Sequence, residues 1–394
     1  MKKRIIALVC AAVTGLTMAS CGPKVSNSQE NTSTQAASTN ETEVTTTPQE
    51  GEQHPSPEEC EALKDLYKDY FDIGTCISAT MIKNKTYYDF ILKNFSSATC
   101  ENNMKPEAMI NRYETQHGDM TDGGTRIVLN MENMRKELDF ASQNGLKMRG
   151  HVFVWHEQTP DWIFYVNFDP EGELAGRELM LTRLENYMKD VFSWVEENYP
   201  GLFYAWDIAN ECMGDNNKMR DSLWYKTIGE DYVEQVFALA RKYAPDYIKL
   251  FYNDYNESVA AKRTAIIKML KPVAEAGNLD GMGMQAHLNS TNTVKSVVDS
   301  VRIYAEELGV SVHITELDYA QPKSADPETA QAQYYGQLFK EFKALKDEGV
   351  AIESVTFWGI NDGLSWRKDE KPLLFNKDMT PKKAYYAVID AAKE

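Results

Sequence analysis

The sequence predicts an α/β protein whose strands close into a (β/α)8 barrel, the TIM-barrel architecture. Three observations lead there. Short apolar runs alternate with longer amphipathic stretches eight times between Cys60 and Glu394, as parallel strands joined by helical crossovers do. Polar and aromatic residues crowd the C-terminal ends of those runs, where barrel proteins build their sites. No glycine-rich phosphate-binding turn follows the first run, in which Gly74 stands alone. That weakens the competing open, doubly wound sheet.

The elements follow in order. Phe71–Ile77 and Phe95–Cys100 are apolar or small, and the second hands over to Glu101-Asn102. A helical pattern over Arg126–Asn144 leads into Lys147–Trp155, whose end carries His151 to His156. Arg183–Asn198 is again helical, and Phe203–Ile208 runs on into Asn210-Glu211. Tyr232–Tyr243 precedes Ile248–Asn253, which is extended by Asp254-Tyr255-Asn256. Helical Ser258–Ala276 leads to Gly281–Gln285, with His287 just beyond. Thr291–Leu308 precedes Val310–Thr315, which is followed by Glu316 and Asp318. Thr329–Asp347 leads to the last run, Ser354–Trp358. One polar strand end is an ordinary cap or loop residue; seven with the same asymmetry point to a single rim.

Composition narrows the function. Of 394 residues 43% are hydrophobic, enough for a large core. The net charge of -17 repels phosphate backbones, so nucleic acid is not an expected partner. A neutral glycan escapes that penalty, and 7 Trp and 21 Tyr offer flat apolar faces for one. Six cysteines are too few for a disulfide scaffold and match no zinc spacing. No metal cluster is evident and no cofactor is expected, with calcium at the acidic surface left open; a monomer is expected.

The N-terminus reads as targeting. Met1–Arg4 is basic, Ile5–Val13 is mostly apolar, and small residues lead to Leu16-Thr17-Met18-Ala19-Ser20-Cys21, as in a secretory signal over residues 1–20. The apolar run is too short for a permanent span. Cys21 after Ala19-Ser20 resembles the lipobox of bacterial lipoproteins, and the resemblance implies an acylated Cys21 and a membrane anchor. An ordinary signal peptide with an incidental cysteine is the alternative. Residues 21–59 are rich in Ser, Thr, Asn, Gln, Glu and Pro and bury too little to offset ordering entropy. They read as a tether to a domain at 60–394, held at the cell surface or periplasmic face.

Two glutamates stand out as a chemical centre. Glu211 ends Trp206-Asp207-Ile208-Ala209-Asn210, and Glu316 ends His313-Ile314-Thr315. Each follows an apolar strand, so each is expected at the rim with little water. Two carboxyls facing one cavity push their pKa values apart, leaving one as proton donor and one as anion. Glycoside hydrolysis needs that division. A lone glutamate at a strand end more often favours a helix dipole.

With the neighbouring segments the sequence resembles glycoside hydrolase family 10, the retaining endo-β-1,4-xylanases. The likeness runs through Cys100-Glu101-Asn102-Asn103-Met104-Lys105-Pro106, Arg149-Gly150-His151 to His156, Trp206 to Glu211, Tyr252 to Asn256, Gly283 to Leu288, Ile314 to Asp318, Phe357-Trp358-Gly359 and Asp362 to Trp366. It implies hydrolysis of internal xylan linkages, with xylan and xylo-oligosaccharides as partners. It implies Glu211 as acid/base and Glu316 as nucleophile. Asn210 would bond the sugar 2-hydroxyl, His287 the nucleophile, and Asp318 would orient that imidazole. Glu101, Asn102 and Lys105 match a set that grips a sugar on the non-reducing side. His151, Trp155, Gln158 and Gln285 match residues around the central sugar. Trp358 and Trp366 match an aromatic ceiling that crowds the 6-hydroxymethyl of glucose, which xylose lacks. Tyr255 is placed to stack on the leaving-group side. Ala209, Asn361, Asn376 and Lys383 depart from the common pattern and leave side-chain tolerance open. A related β-1,4-glucanase or mixed-specificity glycanase, and a non-catalytic surface glycan-binding lipoprotein, are the competing readings. Cys76, Cys100 and Cys212 are expected as core thiols, and a Cys76–Cys100 disulfide is left open.

Overall fold

The computed structural model describes residues 58–118 and 120–394. The expected signal segment, Cys21 and most of the tether lie outside the described residues. The rest is a closed barrel of eight parallel strands, each followed by a helix. The strands are β1 Asp72–Ile77, β2 Ser97–Cys100, β3 Lys147–Val154, β4 Phe203–Asn210, β5 Lys249–Asp254, β6 Gly281–Met284, β7 Ser311–Tyr319 and β8 Ile352–Phe357. The main helices are α1 Lys85–Asn94, α2 Glu132–Gln143, α3 Arg177–Asn198, α4 Tyr232–Tyr243, α5 Ala260–Glu275, α6 Val294–Leu308, α7 Pro327–Asp347 and α8 Lys383–Lys393. Each strand pairs with the next, and β1 closes on β8 with Ile73 opposite Val355. His287–Leu288 adds a two-residue pairing beside the end of β7. None of the described helices is long and apolar enough to cross a membrane.

The sequence pattern explains the packing. Along α4 the buried residues are Tyr232, Val233, Val236, Phe237 and Ala240, one stripe at helical spacing. The strands are buried on both faces, as a sheet wrapped by helices requires. Arg149 of β3 lies inside the barrel, stacked 4.6 Å above the Phe251 ring and paired with Asp207 of β4. Asp207 also takes His151 Nδ1 at 2.9 Å, and Arg149 reaches His313 at 2.8 Å. This buried polar layer is the floor beneath the strand ends. Glycine is needed where the wall is crowded: a Cβ on Gly283 would lie 2.5 Å from Asn253 Oδ1 and 3.0 Å from Arg149 Nη2.

Several boundaries differ from expectation; the helix expected over Arg183–Asn198, for one, already starts at Arg177. The helix expected over Arg126–Asn144 starts only at Glu132. Before it, Leu129 pairs with Ile110 and Val128 N–H donates to Thr115 Oγ1, so the β-branched stretch is pulled extended. Strand β7 runs on to Tyr319 with every residue buried, so Glu316 and Asp318 belong to the strand. Strand β4 likewise extends to Asn210. Cys76, Cys100 and Cys212 are buried free thiols, which settles the Cys76–Cys100 question against a disulfide. Burial pushes the thiols up, Cys212 to about 12.

Candidate active site

The C-terminal ends of the strands enclose a cavity of about 480 Å³. All of the expected sugar-site residues except Asp318 line it, and Asp318 lies directly behind His287. The two glutamates enter from different strands. Glu316 is buried within β7, and Glu211 follows the last residue of β4.

Their surroundings differ in kind. Glu316 Oε1 accepts from Asn253 Nδ2 at 2.9 Å, and Oε2 lies 3.3 Å from His287 Nε2. Burial alone would raise this carboxyl. The His287 hydrogen bond, the imidazoles of His151 and His287, and the Asn253 amide hold it below the ordinary carboxylate range. His287 is in turn 3.1 Å from Asp318 through Nδ1. Burial disfavours its charge, but Asp318 and then Glu316 outweigh that and lift it to about 10. It is therefore an imidazolium at neutral pH, its Nε2 facing Glu316 and its Nδ1 within ion-pair distance of Asp318. Asp318 is fixed on its other side by the Trp366 indole N–H at 3.0 Å and by Arg367.

Glu211 sits in a more open and less charged setting, its side chain 12% exposed. Its Oε1 accepts from Gln285 Nε2 at 3.0 Å. His156 Nδ1 lies 3.9 Å from Oε2, and burial together with Arg220 pushes that imidazole down to about 4, so it is neutral. A row of amides spans the gap between the glutamates. The Asn210 amide lies 3.1 Å from the side-chain nitrogens of both Gln285 and Asn253, which themselves hold Glu211 and Glu316.

The remaining residues form two walls. On one side Lys105 is buried, bonding Gln158 Oε1 at 2.9 Å and Asn102 Oδ1 at 3.1 Å beneath the Trp155 ring. Burial pushes Lys105 down and the neighbouring Glu101 up, and the two charges partly offset this in each other. Lys105 is thus no solvated surface ion pair. Its donors are fixed in place, which suits recognition of hydroxyl groups. On the other side Tyr255 Oη donates to Asp215 at 2.9 Å and accepts from Arg220 at 3.2 Å. Trp358 is buried against His151, whereas Trp366 is 61% exposed and edges the His287 ring. The two indoles therefore differ: one is wall, the other an open flap-like face.

Sequence reasoning gave no role in the site to Asn253, His156 or Arg220. Asn253 carried a signal: an amide inside the apolar run of β5, fully buried, needs a partner, and here the partner is Glu316. His156 and Arg220 lie on loops, where charge alone carries no such signal.

A family model described as glycosyl hydrolase family 10 matches residues 62–391. Endo-1,4-beta-xylanase B of Butyrivibrio fibrisolvens is 39% identical over 342 residues, covering 84% of this chain and 53% of that protein. Endo-1,4-beta-xylanase A of Caldicellulosiruptor saccharolyticus is 37% identical over 351 residues, covering 83% of this chain and 95% of its own length. The chain spans about a third to about half of the length of several curated relatives it matches. Among solved structures, the intracellular xylanase TsXylA of Thermoanaerobacterium saccharolyticum superposes with a TM-score of 0.75 at 34% identity, covering 84% of this chain and 98% of that one. The family match spans nearly all of the described barrel, and the chain belongs to glycosyl hydrolase family 10.

Proposed function

We propose that the protein is a retaining endo-β-1,4-xylanase working by double displacement. The observation that carries this reading is the pair of glutamates facing one cavity in unlike settings, with Glu316 held as an anion by His287 and Asn253. In the first step a Glu316 oxygen attacks the anomeric carbon as the glycosidic bond breaks. Glu211 gives its proton to the departing oxygen, and an ester to Glu316 results. In the second step Glu211 takes a proton from water, water oxygen bonds to the anomeric carbon, and Glu316 leaves as the carboxylate. Two inversions return the starting configuration.

Substrate choice follows from the walls. Lys105, Asn102, Glu101 and Gln158 hold ring hydroxyls on the glycone side, and Tyr255 stacks the departing sugar. Trp358 and Trp366 crowd the position of a 6-hydroxymethyl, which favours xylose over glucose. The relatives' names point the same way, and variants of the T. saccharolyticus xylanase have been seen with xylotriose and xylotetraose. The N-terminal sequence supports an exported enzyme anchored through a lipid on Cys21, and the enzyme is proposed as a monomer.

Reducing-sugar release from xylan and cellulose tests the substrate, and the leaving-group dependence of Glu211→Ala tests the roles. Release is expected mainly from xylan. Glu211→Ala should lose about 10²–10⁴-fold on xylan while sparing aryl xylosides that leave without a proton. Faster release from cellulose, or full xylan activity in Glu211→Ala, contradicts the reading.

A further inference from the structure

Glu211 has a backbone φ of 55°, in the left-handed region that residues with a side chain seldom adopt. Such a conformation persists only where its surroundings over-determine it. Two ties are direct: Glu211 N–H donates to Asn253 O at 2.9 Å, and Glu211 O accepts from Arg220 Nε at 2.8 Å. The next two N–H groups belong to Cys212 and Met213, which are 2% and 4% exposed. Buried N–H groups need acceptors, and both find the same one. Cys212 N–H donates to Tyr252 Oη at 3.0 Å and Met213 N–H at 3.2 Å.

A phenol offers two lone pairs and one proton. Here the lone pairs go to the turn and the proton to Asp254 Oδ2. Asp254 is fully buried, and its other oxygen takes Lys262 Nζ at 2.9 Å and Tyr255 N–H at 2.9 Å. The hydroxyl is therefore used to capacity and cannot swing away. Tyr252, Asp254 and Lys262 are absent from the cavity lining, so none of them meets the sugar.

We propose that Tyr252 is a positioning residue for the acid/base, its hydroxyl pinning the left-handed turn that presents Glu211 to the glycosidic oxygen. The proposal rests on reading Glu211 as the acid/base. Losing the hydroxyl strands two buried N–H groups, the turn relaxes, and the Glu211 carboxyl loses its aim. Glu316, on β7, is not disturbed. The defect is thus confined to proton delivery.

The test compares kcat/KM of the full chain on xylan and on a dinitrophenyl xylobioside, which forms the glycosyl-enzyme without help from an acid. Tyr252→Phe, Asp254→Asn and Glu211→Ala are measured alongside the unaltered protein. Tyr252→Phe is expected to lose about 10- to 100-fold on xylan and to stay within about twofold on the dinitrophenyl substrate. Unaltered kinetics on xylan, or equal losses on both substrates, would overturn the proposal. If Tyr252→Phe does not fold, Asp254→Asn, which keeps the ring and hydroxyl, must show the same split in smaller measure. An equal loss or none there overturns the proposal too. A split for Glu211→Ala without one for Tyr252→Phe removes this inference alone. No split for Glu211→Ala removes the reading beneath it as well.

Discussion

At the scale of the residue, the site is organised by which charges are paid back by neighbours. Glu316 stays anionic despite burial because an imidazolium and an amide face it. His287 stays protonated because two carboxylates face it. The sign of the pH dependence follows. A histidine lifted from 6.5 to about 10 adds stability that is fully present below pH 6.5 and lost as pH rises toward 10. A His287→Gln variant should therefore lag the unaltered protein most in urea midpoint at or below pH 6.5, with the gap closing toward pH 10. The same variant removes a charge that favours the Glu316 carboxylate. The acid limb of its kcat/KM profile should move to higher pH. A limb that does not move would show that His287 does not tune Glu316.

At the scale of the element, the barrel places chemistry by fixing where strands stop. Strands β4 and β7 outrun their apolar cores by the residues that matter, Asn210 and Glu316 to Tyr319. Strand β6 contributes by what it lacks. Gly283 leaves room for Asn253 and Arg149, so Gly283→Ala should cost about 1–3 kcal/mol and also lower kcat/KM by displacing the amide that holds Glu316. Helix α6 offers the contrast. Thr293 caps it by accepting from Ser296 N–H at 3.1 Å and is not among the residues that line the cavity. Thr293→Ala should cost about 1 kcal/mol with kcat/KM unchanged. Thermal melts and kinetics on both variants check the distinction. A Gly283→Ala enzyme that lost stability but no activity would detach β6 from the site.

At the scale of the whole molecule, the fold and most of the cavity wall were legible because alternating runs and polar strand ends are properties of local sequence. Glu211 and Glu316 could be read in that way, whereas the roles of Trp358 and Trp366 came only from the family resemblance. Local sequence was silent about the floor, where Arg149, Asp207 and His313 meet from three strands. It was silent too about Tyr252, whose hydroxyl meets the backbone of Cys212 and Met213 about forty residues earlier, in the turn after β4. It also misread the start of α2, since Ile110 lies too far from Leu129 in sequence to announce their pairing. The proposed tether and lipid anchor add a prediction at this scale. Residues 60–394 alone should match the full chain in melting temperature and kcat/KM, and Cys21→Ser should move the full chain from the membrane to the soluble fraction. An anchored Cys21→Ser protein would contradict lipidation.

The central claim is that Glu316 bonds covalently to the sugar. A 2-deoxy-2-fluoro xylobioside with a dinitrophenyl leaving group slows release of the intermediate, and peptide mass spectrometry then locates the attached sugar. The account predicts one adduct, on the peptide carrying Glu316, and none in Glu316→Ala. An adduct on any other residue, or turnover with inversion and no adduct, would contradict it.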